Sequence, residues 1–96
     1  MALFAVIWTY TDDAAHLAAH KPAHGAFLKE LAASGALVEA GAWADRSGAL
    51  LIVRADSPEQ VDDLLATDPY VVEGVVIGSD LHEWVPIIGA LEQPTP

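Results

Sequence analysis

Two segments of this chain carry apolar side chains on both sides of a predicted strand, which limits the folds open to it. In the first segment, Ala2–Tyr10, every second residue is apolar on both sides of the strand. One side carries Leu3, Ala5 and Ile7, and the other carries Phe4, Val6 and Trp8. Segment 49–55 repeats this pattern with Leu51 and Val53 against Leu50 and Ile52. Alternate residues of a strand face opposite sides of a sheet, so both sides of this sheet are expected to be buried.

Helical signals alternate with further strands. Apolar periodicity runs through Pro22 to Ser34, where Gly35 is a typical residue for ending a helix. Segments 36–43 and 49–55 form a predicted hairpin whose loop, 44–48, contains Gly. Ser57, Pro58 and Gln60 are typical of a helix start, and that helix is expected to stop near residue 67.

The last strand is expected over residues 75–85, so the predicted order is β-α-β-β-α-β. This order indicates an α+β protein with the ferredoxin-like arrangement. We expect a single domain over residues 1–96, with a Pro-rich tail from about residue 87. Two helices cover only one face of a four-stranded sheet. A homodimer that packs the same sheet against its copy is therefore expected.

Charge and cysteine content exclude several classes of function. Four Lys and Arg against fourteen Asp and Glu give a net charge of −10, without the basic surface that binding to nucleic acid or an anionic membrane needs. The chain has no cysteine, so disulfides and thiolate chemistry are excluded. The apolar start has no basic residue and is too short to cross a bilayer, which favours the cytoplasm.

His24 is the first candidate for chemistry. It lies in the apolar arc of its helix with Phe27 and Leu28, where neighbours can tune an imidazole toward general acid or base catalysis. The alternative is a structural histidine in the core, hydrogen-bonded to one carbonyl.

Asp68 is the second candidate, because the following Pro69 fixes the backbone at its carboxylate. A carboxylate there could orient an imidazole by accepting its Nδ1 proton. Asp before Pro is also the expected cap of a short helix, and one carboxylate could serve both roles.

Other residues add weaker signals. His16, His20 and His24 are spaced four apart, but Pro22 argues against one unbroken helix, and we predict no metal site. Lys21 could hold an anionic substrate group, or simply be solvated. Tyr70 could line the same pocket, or anchor its turn.

Several motifs together resemble the YciI-like (YCII-related) family. They are the opening apolar strand, Lys21-Pro-Ala-His24 followed by Phe27-Leu28 and Gly35, Val38-Glu-Ala-Gly41, Ser57-Pro-Glu, and Asp68-Pro-Tyr70-Val. The resemblance implies a ferredoxin-like domain of the dimeric α/β-barrel superfamily with a His–Asp pair in its active site, which falls on His24 and Asp68. That family usually has Arg where this chain has Lys21, which keeps the charge but not the bidentate fork.

The resemblance leaves the reaction open, although one branch of the family removes chloride from a chlorinated hydroxyhydroquinone. The leading hypothesis is an enzyme without a cofactor that uses His24 and Asp68 for acid–base chemistry, with Lys21 and Tyr70 binding the substrate. Elimination, isomerisation or hydrolysis of a small organic acid or phenol would suit it. The alternative is a non-catalytic dimer that binds a small ligand or a partner protein.

Overall fold

A computed structural model describes residues 1–91, which form one four-stranded sheet and three helices. The elements, in chain order, are β1 (Ala2–Tyr10), α1 (Ala14–Ala33), β2 (Leu37–Ala42), β3 (Gly48–Ala55), α2 (Pro58–Leu65), α3 (Pro69–Val72) and β4 (Val76–Trp84). All strand pairs are antiparallel, and their order across the sheet is β2-β3-β1-β4. The ferredoxin-like α+β fold predicted from the sequence is confirmed.

The core lies between the helices and one face of the sheet. It contains the even-numbered set of β1 and the residues opposite it on β3, together with two side chains of α2: Phe4, Val6, Trp8, Ala49, Leu51, Val53, Ala55, Val61 and Leu65. Phe27, Leu28 and Leu31 pack against this cluster from α1, as the helical periodicity predicted. Burial of this apolar surface is the main force that fixes the helices on the sheet.

The opposite face of the sheet carries the odd-numbered set of β1. Leu3 and Ile52 on this face are buried within the chain itself, whereas Ala5, Ile7 and Leu50 remain half-exposed. The homodimer, which would cover this second face, remains a prediction.

Pro22 does not interrupt the first helix. The expectation that it would break the continuity from His16 to His24 is wrong, because α1 runs through it from Ala14 to Ala33. Proline in a helix interior costs about 3 kcal/mol. Pro22 and Ala18 are both exposed, so the carbonyl left without an N–H partner can bind water, while side chains beyond Pro22 pack on the core.

The second helix begins as the sequence indicated. Ser57 caps it by accepting a hydrogen bond from the Gln60 N–H at 3.1 Å, and Pro58 takes the first position. No helix within residues 1–91 is both long and apolar enough to span a bilayer. The predicted Pro-rich tail is described only as far as residue 91, and residues 92–96 lie outside the described part of the chain.

Candidate active site

His24 and Asp68 meet between α1 and the start of α3. The Nδ1 atom of His24 lies 2.9 Å from both carboxylate oxygens of Asp68. The Asp68 side chain is completely buried, and the His24 side chain is 12% exposed. A fully buried carboxylate needs strong hydrogen bonds to compensate for its lost hydration, and this imidazole supplies one.

Asp68 also caps α3. Its Oδ1 atom accepts a hydrogen bond from the Tyr70 N–H at 2.9 Å, while its extended backbone suits a residue before proline. Asp68 therefore both caps the short helix and contacts the imidazole, which are the two interpretations that the sequence offered. Oδ1 serves both the cap and the imidazole, and Oδ2 contacts the imidazole alone.

This contact selects one form of the imidazole. The Asp68 carboxylate only accepts hydrogen bonds, so Nδ1 of a neutral His24 must carry the hydrogen. Nε2 then presents its lone pair, and it has no hydrogen-bond partner within residues 1–91. The arrangement can therefore accept a proton at Nε2, while Asp68 stabilises the resulting imidazolium.

Two aromatic rings lie next to the imidazole, and a third packs on one of them. The Tyr70 ring is stacked on His24, the Trp8 ring lies tilted with its centroid 6.3 Å away, and the Tyr10 ring meets Tyr70 edge-on at 5.2 Å. Tyr70 and Trp8 are buried. Packing from several sides restricts the rotation of the imidazole and holds Nε2 in one direction.

Both tyrosines near the pair are held in their neutral form. The pKa of Tyr10 is raised to about 12, mainly by burial and then by the negative charges that Tyr70 and Asp68 can carry. Burial, followed by the Asp68 charge, also raises the pKa of Tyr70. At neutral pH these phenols are available as hydrogen-bond donors.

A pocket of about 210 Å³ opens beside the imidazole. Its lining combines aromatic, apolar and cationic residues: Tyr10, Leu17, Lys21, His24, Ala42, Arg46 and Tyr70. A smaller cavity of about 140 Å³ lies between α1 and strands β2 and β3, and it shares Tyr10, His24 and Ala42 with the first. The four residues singled out from the sequence are therefore brought together here, with Lys21, His24 and Tyr70 on the pocket wall and Asp68 behind them.

Sequence reasoning missed Tyr10 and Arg46. The sequence predicts only a strand residue at Tyr10, although Tyr10 ends β1 at the edge of the pocket. Arg46 comes from the β2–β3 loop, more than twenty residues from His24. The one sequence feature that distinguishes Arg46 is its positive charge, since the chain has only four Lys and Arg residues.

The other two histidines of α1 do not join the pair. His16 Nε2 contacts the Glu73 carbonyl oxygen, and His20 Nε2 lies 3.9 Å from the Glu73 carboxylate. In the part of the chain that the structure describes, no three His, Asp or Glu side chains gather in a way that could hold a metal ion.

A second groove, of about 250 Å³, lies between α2 and β4. Its walls are mostly apolar: Val6, Trp8, Val61, Asp62, Leu65, Ala66, Val71, Val76, Ser79 and Leu81. Asp62 is the single titratable residue among them, and neither a base nor a cation stands opposite it. Acid–base chemistry is therefore better supported at the His24 pocket.

Comparison with known proteins gives one family and a solved structure. The sequence model of the YCII-related domain matches residues 2–85. A solved structure of 5-chloro-2-hydroxyhydroquinone dehydrochlorinase (TftG) from Burkholderia phenoliruptrix AC1100, in complex with 2,5-dihydroxybenzoquinone, is similar with a TM-score of 0.76. The two share 20% sequence identity, and the alignment covers 88% of this chain and 94% of that one. No curated protein sequence matches the chain.

Proposed function

The chain belongs to the YCII-related domain family, and on that premise we propose that it is a small-molecule enzyme in which His24 is the general base. The substrate would be a small organic acid or phenol, and the reaction an elimination, an isomerisation or a hydrolysis. The observation that carries the proposal is the contact of His24 Nδ1 with both oxygens of a fully buried Asp68.

The proton path follows from that contact. Nε2 of His24 takes a proton from a carbon or an oxygen of the substrate, and the positive charge that forms is stabilised by Asp68. In an elimination, the electrons of the broken C–H bond form a double bond as the leaving group departs with its own bonding pair. Nε2 then releases the proton to solvent, and the pair returns to its first state. No cofactor is needed for these steps.

Tyr10 supports the same chemistry as a hydrogen-bond donor. Its pKa of about 12 keeps its hydroxyl protonated at neutral pH, and the residue lines the pocket with His24. A substrate oxygen that becomes negative during proton removal would be stabilised by such a donor in a poorly hydrated site. Lys21, on the same wall, would add a positive charge for an anionic group.

The solved relative supports the choice of ligand class. Its structure holds 2,5-dihydroxybenzoquinone, and its name describes the dehydrochlorination of 5-chloro-2-hydroxyhydroquinone. A hydroxylated ring of that size, or a small acid, suits a pocket of about 210 Å³ lined by aromatic rings.

The test is a search for turnover with matched variants. Wild-type protein is incubated with chlorinated and unsubstituted hydroxybenzoic acids, hydroquinones and short hydroxy acids, and products are followed by proton NMR. We expect turnover of at least one of these by the wild type and a loss of about a hundredfold to ten-thousandfold in His24→Gln. His20→Gln is the matched control, because His20 lies on the same helix and does not line the pocket, and it should keep full activity.

The alternative, a non-catalytic binding module, predicts a different result. A ligand recovered unchanged from the purified protein, with no turnover of any compound in the panel, would contradict catalysis and favour binding alone. Equal turnover by His24→Gln and the wild type would contradict the role of His24.

A further inference from the structure

Arg46 is held in an unusual backbone conformation. Its φ of 66° lies in the left-handed region, and it is the only non-glycine residue with a positive φ within residues 1–91. The Cβ atom makes this conformation unfavourable, so glycine or asparagine is the more common choice. A turn with no other requirement would not be expected to keep arginine at this position.

The hydrogen bonds of the β2–β3 loop do not use the Arg46 side chain. The Arg46 N–H donates to the Trp43 carbonyl oxygen at 2.9 Å. The Asp45 carboxylate accepts from the Ser47 N–H and hydroxyl. The loop is therefore closed by its backbone and by two other side chains, and the guanidinium of Arg46 is left for another role.

The position of Arg46 suggests what that role is. Two of the four basic residues in this acidic chain, Lys21 and Arg46, line the pocket that contains His24. Neither forms an ion pair with a carboxylate within the described range. With fourteen acidic residues in the chain, two unpaired cations in the lining of one pocket favour an anionic ligand.

We propose that Arg46 binds the carboxylate of the ligand in the His24 pocket, and that the ligand is a small carboxylic acid rather than a neutral phenol. Lys21 carries a point charge without the planar fork that matches a carboxylate. Arg46 supplies that fork from the β2–β3 loop. The ligand's carboxylate then lies toward Arg46 and Lys21, and its reacting group lies toward His24.

This inference rests on the proposed function for the chemistry at His24, but binding can be measured without turnover. Benzoate and phenol are the probes, since they share a ring and differ in the carboxylate. Each is titrated into 15N-labelled protein, with binding in the millimolar range expected for ligands of this size. We expect benzoate, and not phenol, to shift the amide signals of the β2–β3 loop and of the α1 residues near Lys21.

Two substitutions of Arg46 separate the effect of its positive charge from that of its planar, bidentate guanidinium. Arg46→Gly removes both while relaxing the backbone, so we expect the melting temperature to be unchanged or higher, and benzoate affinity to fall about tenfold to a hundredfold. Arg46→Lys keeps the charge and loses the fork, and should weaken benzoate about tenfold. Lys29→Gln removes an exposed positive charge elsewhere on α1 and should change affinity less than twofold.

The proposal is overturned by no benzoate binding in the wild type, by equal affinity for phenol and benzoate, or by unchanged benzoate affinity in Arg46→Gly. The same loss in Lys29→Gln as in Arg46→Gly would also contradict it, because the effect would then be general electrostatics. If the protein binds carboxylates through Arg46 but turns over no acid, the proposed enzyme function is contradicted and the Arg46 site is supported. Turnover of an acid at the same kcat/KM in Arg46→Gly would contradict only the Arg46 site.

Discussion

The imidazole of His24 lies flat on the phenol ring of Tyr70, with ring centroids 3.7 Å apart and ring planes within 2° of parallel. The backbone N–H of the same Tyr70 donates to Asp68, whose carboxylate holds the Nδ1 atom of His24. One turn at the start of α3 therefore fixes the imidazole both by its edge and by its face.

The stacked ring should matter more than the hydroxyl of Tyr70. Tyr70→Phe keeps the ring, so we expect the free energy of unfolding to change by less than about 0.5 kcal/mol. Tyr70→Leu removes the flat surface from a buried position and should destabilise the fold by about 1–3 kcal/mol. Urea unfolding measures both, and turnover should fall in Tyr70→Leu more than in Tyr70→Phe. Equal losses in the two variants would show that the hydroxyl, and not the stacking, is what matters.

Asp68→Asn should reverse the tautomer of His24 while retaining the cap of α3. The amide oxygen of asparagine can still accept from the Tyr70 N–H, but its NH₂ group would then face the imidazole and donate to Nδ1. The hydrogen would move to Nε2, and the lone pair would no longer face the pocket. Long-range proton–nitrogen NMR spectra distinguish the two tautomers.

The same variant should lose activity by about a hundredfold to ten-thousandfold, because the lone pair of the imidazole would lie on Nδ1 and not on Nε2. The signals of His16, His20 and His82 serve as internal controls and should not change their tautomers. Full activity in Asp68→Asn would argue against orientation by Asp68.

Much of this site could be predicted from local patterns, and the remainder depended on tertiary contacts. His24 stood out because its helical position faced the sheet, and Asp68 because Pro69 restricts its backbone. Their 2.9 Å contact required the α1–α3 packing, which no local pattern specifies. Arg46 was missed for the same reason, since a loop residue shows no periodicity. The continuity of α1 does not follow from the intrinsic cost of Pro22, because tertiary packing outweighs that cost.

Replacing Pro22 measures that intrinsic cost directly. Pro22→Ala restores an N–H that can donate to the Ala18 carbonyl, so we expect the free energy of unfolding to rise by about 1–3 kcal/mol. Pro69→Ala is the matched control, because Pro69 occupies the first position of α3, where no helical hydrogen bond is lost. It should give no such gain. A Pro22→Ala protein no more stable than the wild type would mean that α1 loses nothing by containing proline.

Stability should fall at strongly alkaline pH through the tyrosines of the site. The pKa of Tyr10 is raised in the folded chain from 10.0 to about 12, so the folded state favours the neutral phenol. A raised pKa contributes stability that is fully present below pH 10 and is lost as pH rises toward 12. Urea unfolding across this range should show the decline, and Tyr10→Phe should show a smaller one. The fall should persist in part, because the pKa of Tyr70 is raised as well. Equal declines in the two proteins would remove Tyr10 as a cause.

The second face of the sheet leads to the prediction of a dimer. Ile7 and Leu50 stand opposite each other on β1 and β3, and both remain half-exposed on the face away from the helices. Contact with a second copy of the sheet would remove them from water, so light scattering at micromolar concentration should give about twice the 10.1 kDa chain mass.

Ile7→Asp would bury a charge in that interface and should yield a monomer. Val72→Asp is the control, because Val72 is 62% exposed on α3, and it should leave the dimer intact. A wild-type protein that is a stable monomer would contradict the argument from strands that are apolar on both faces.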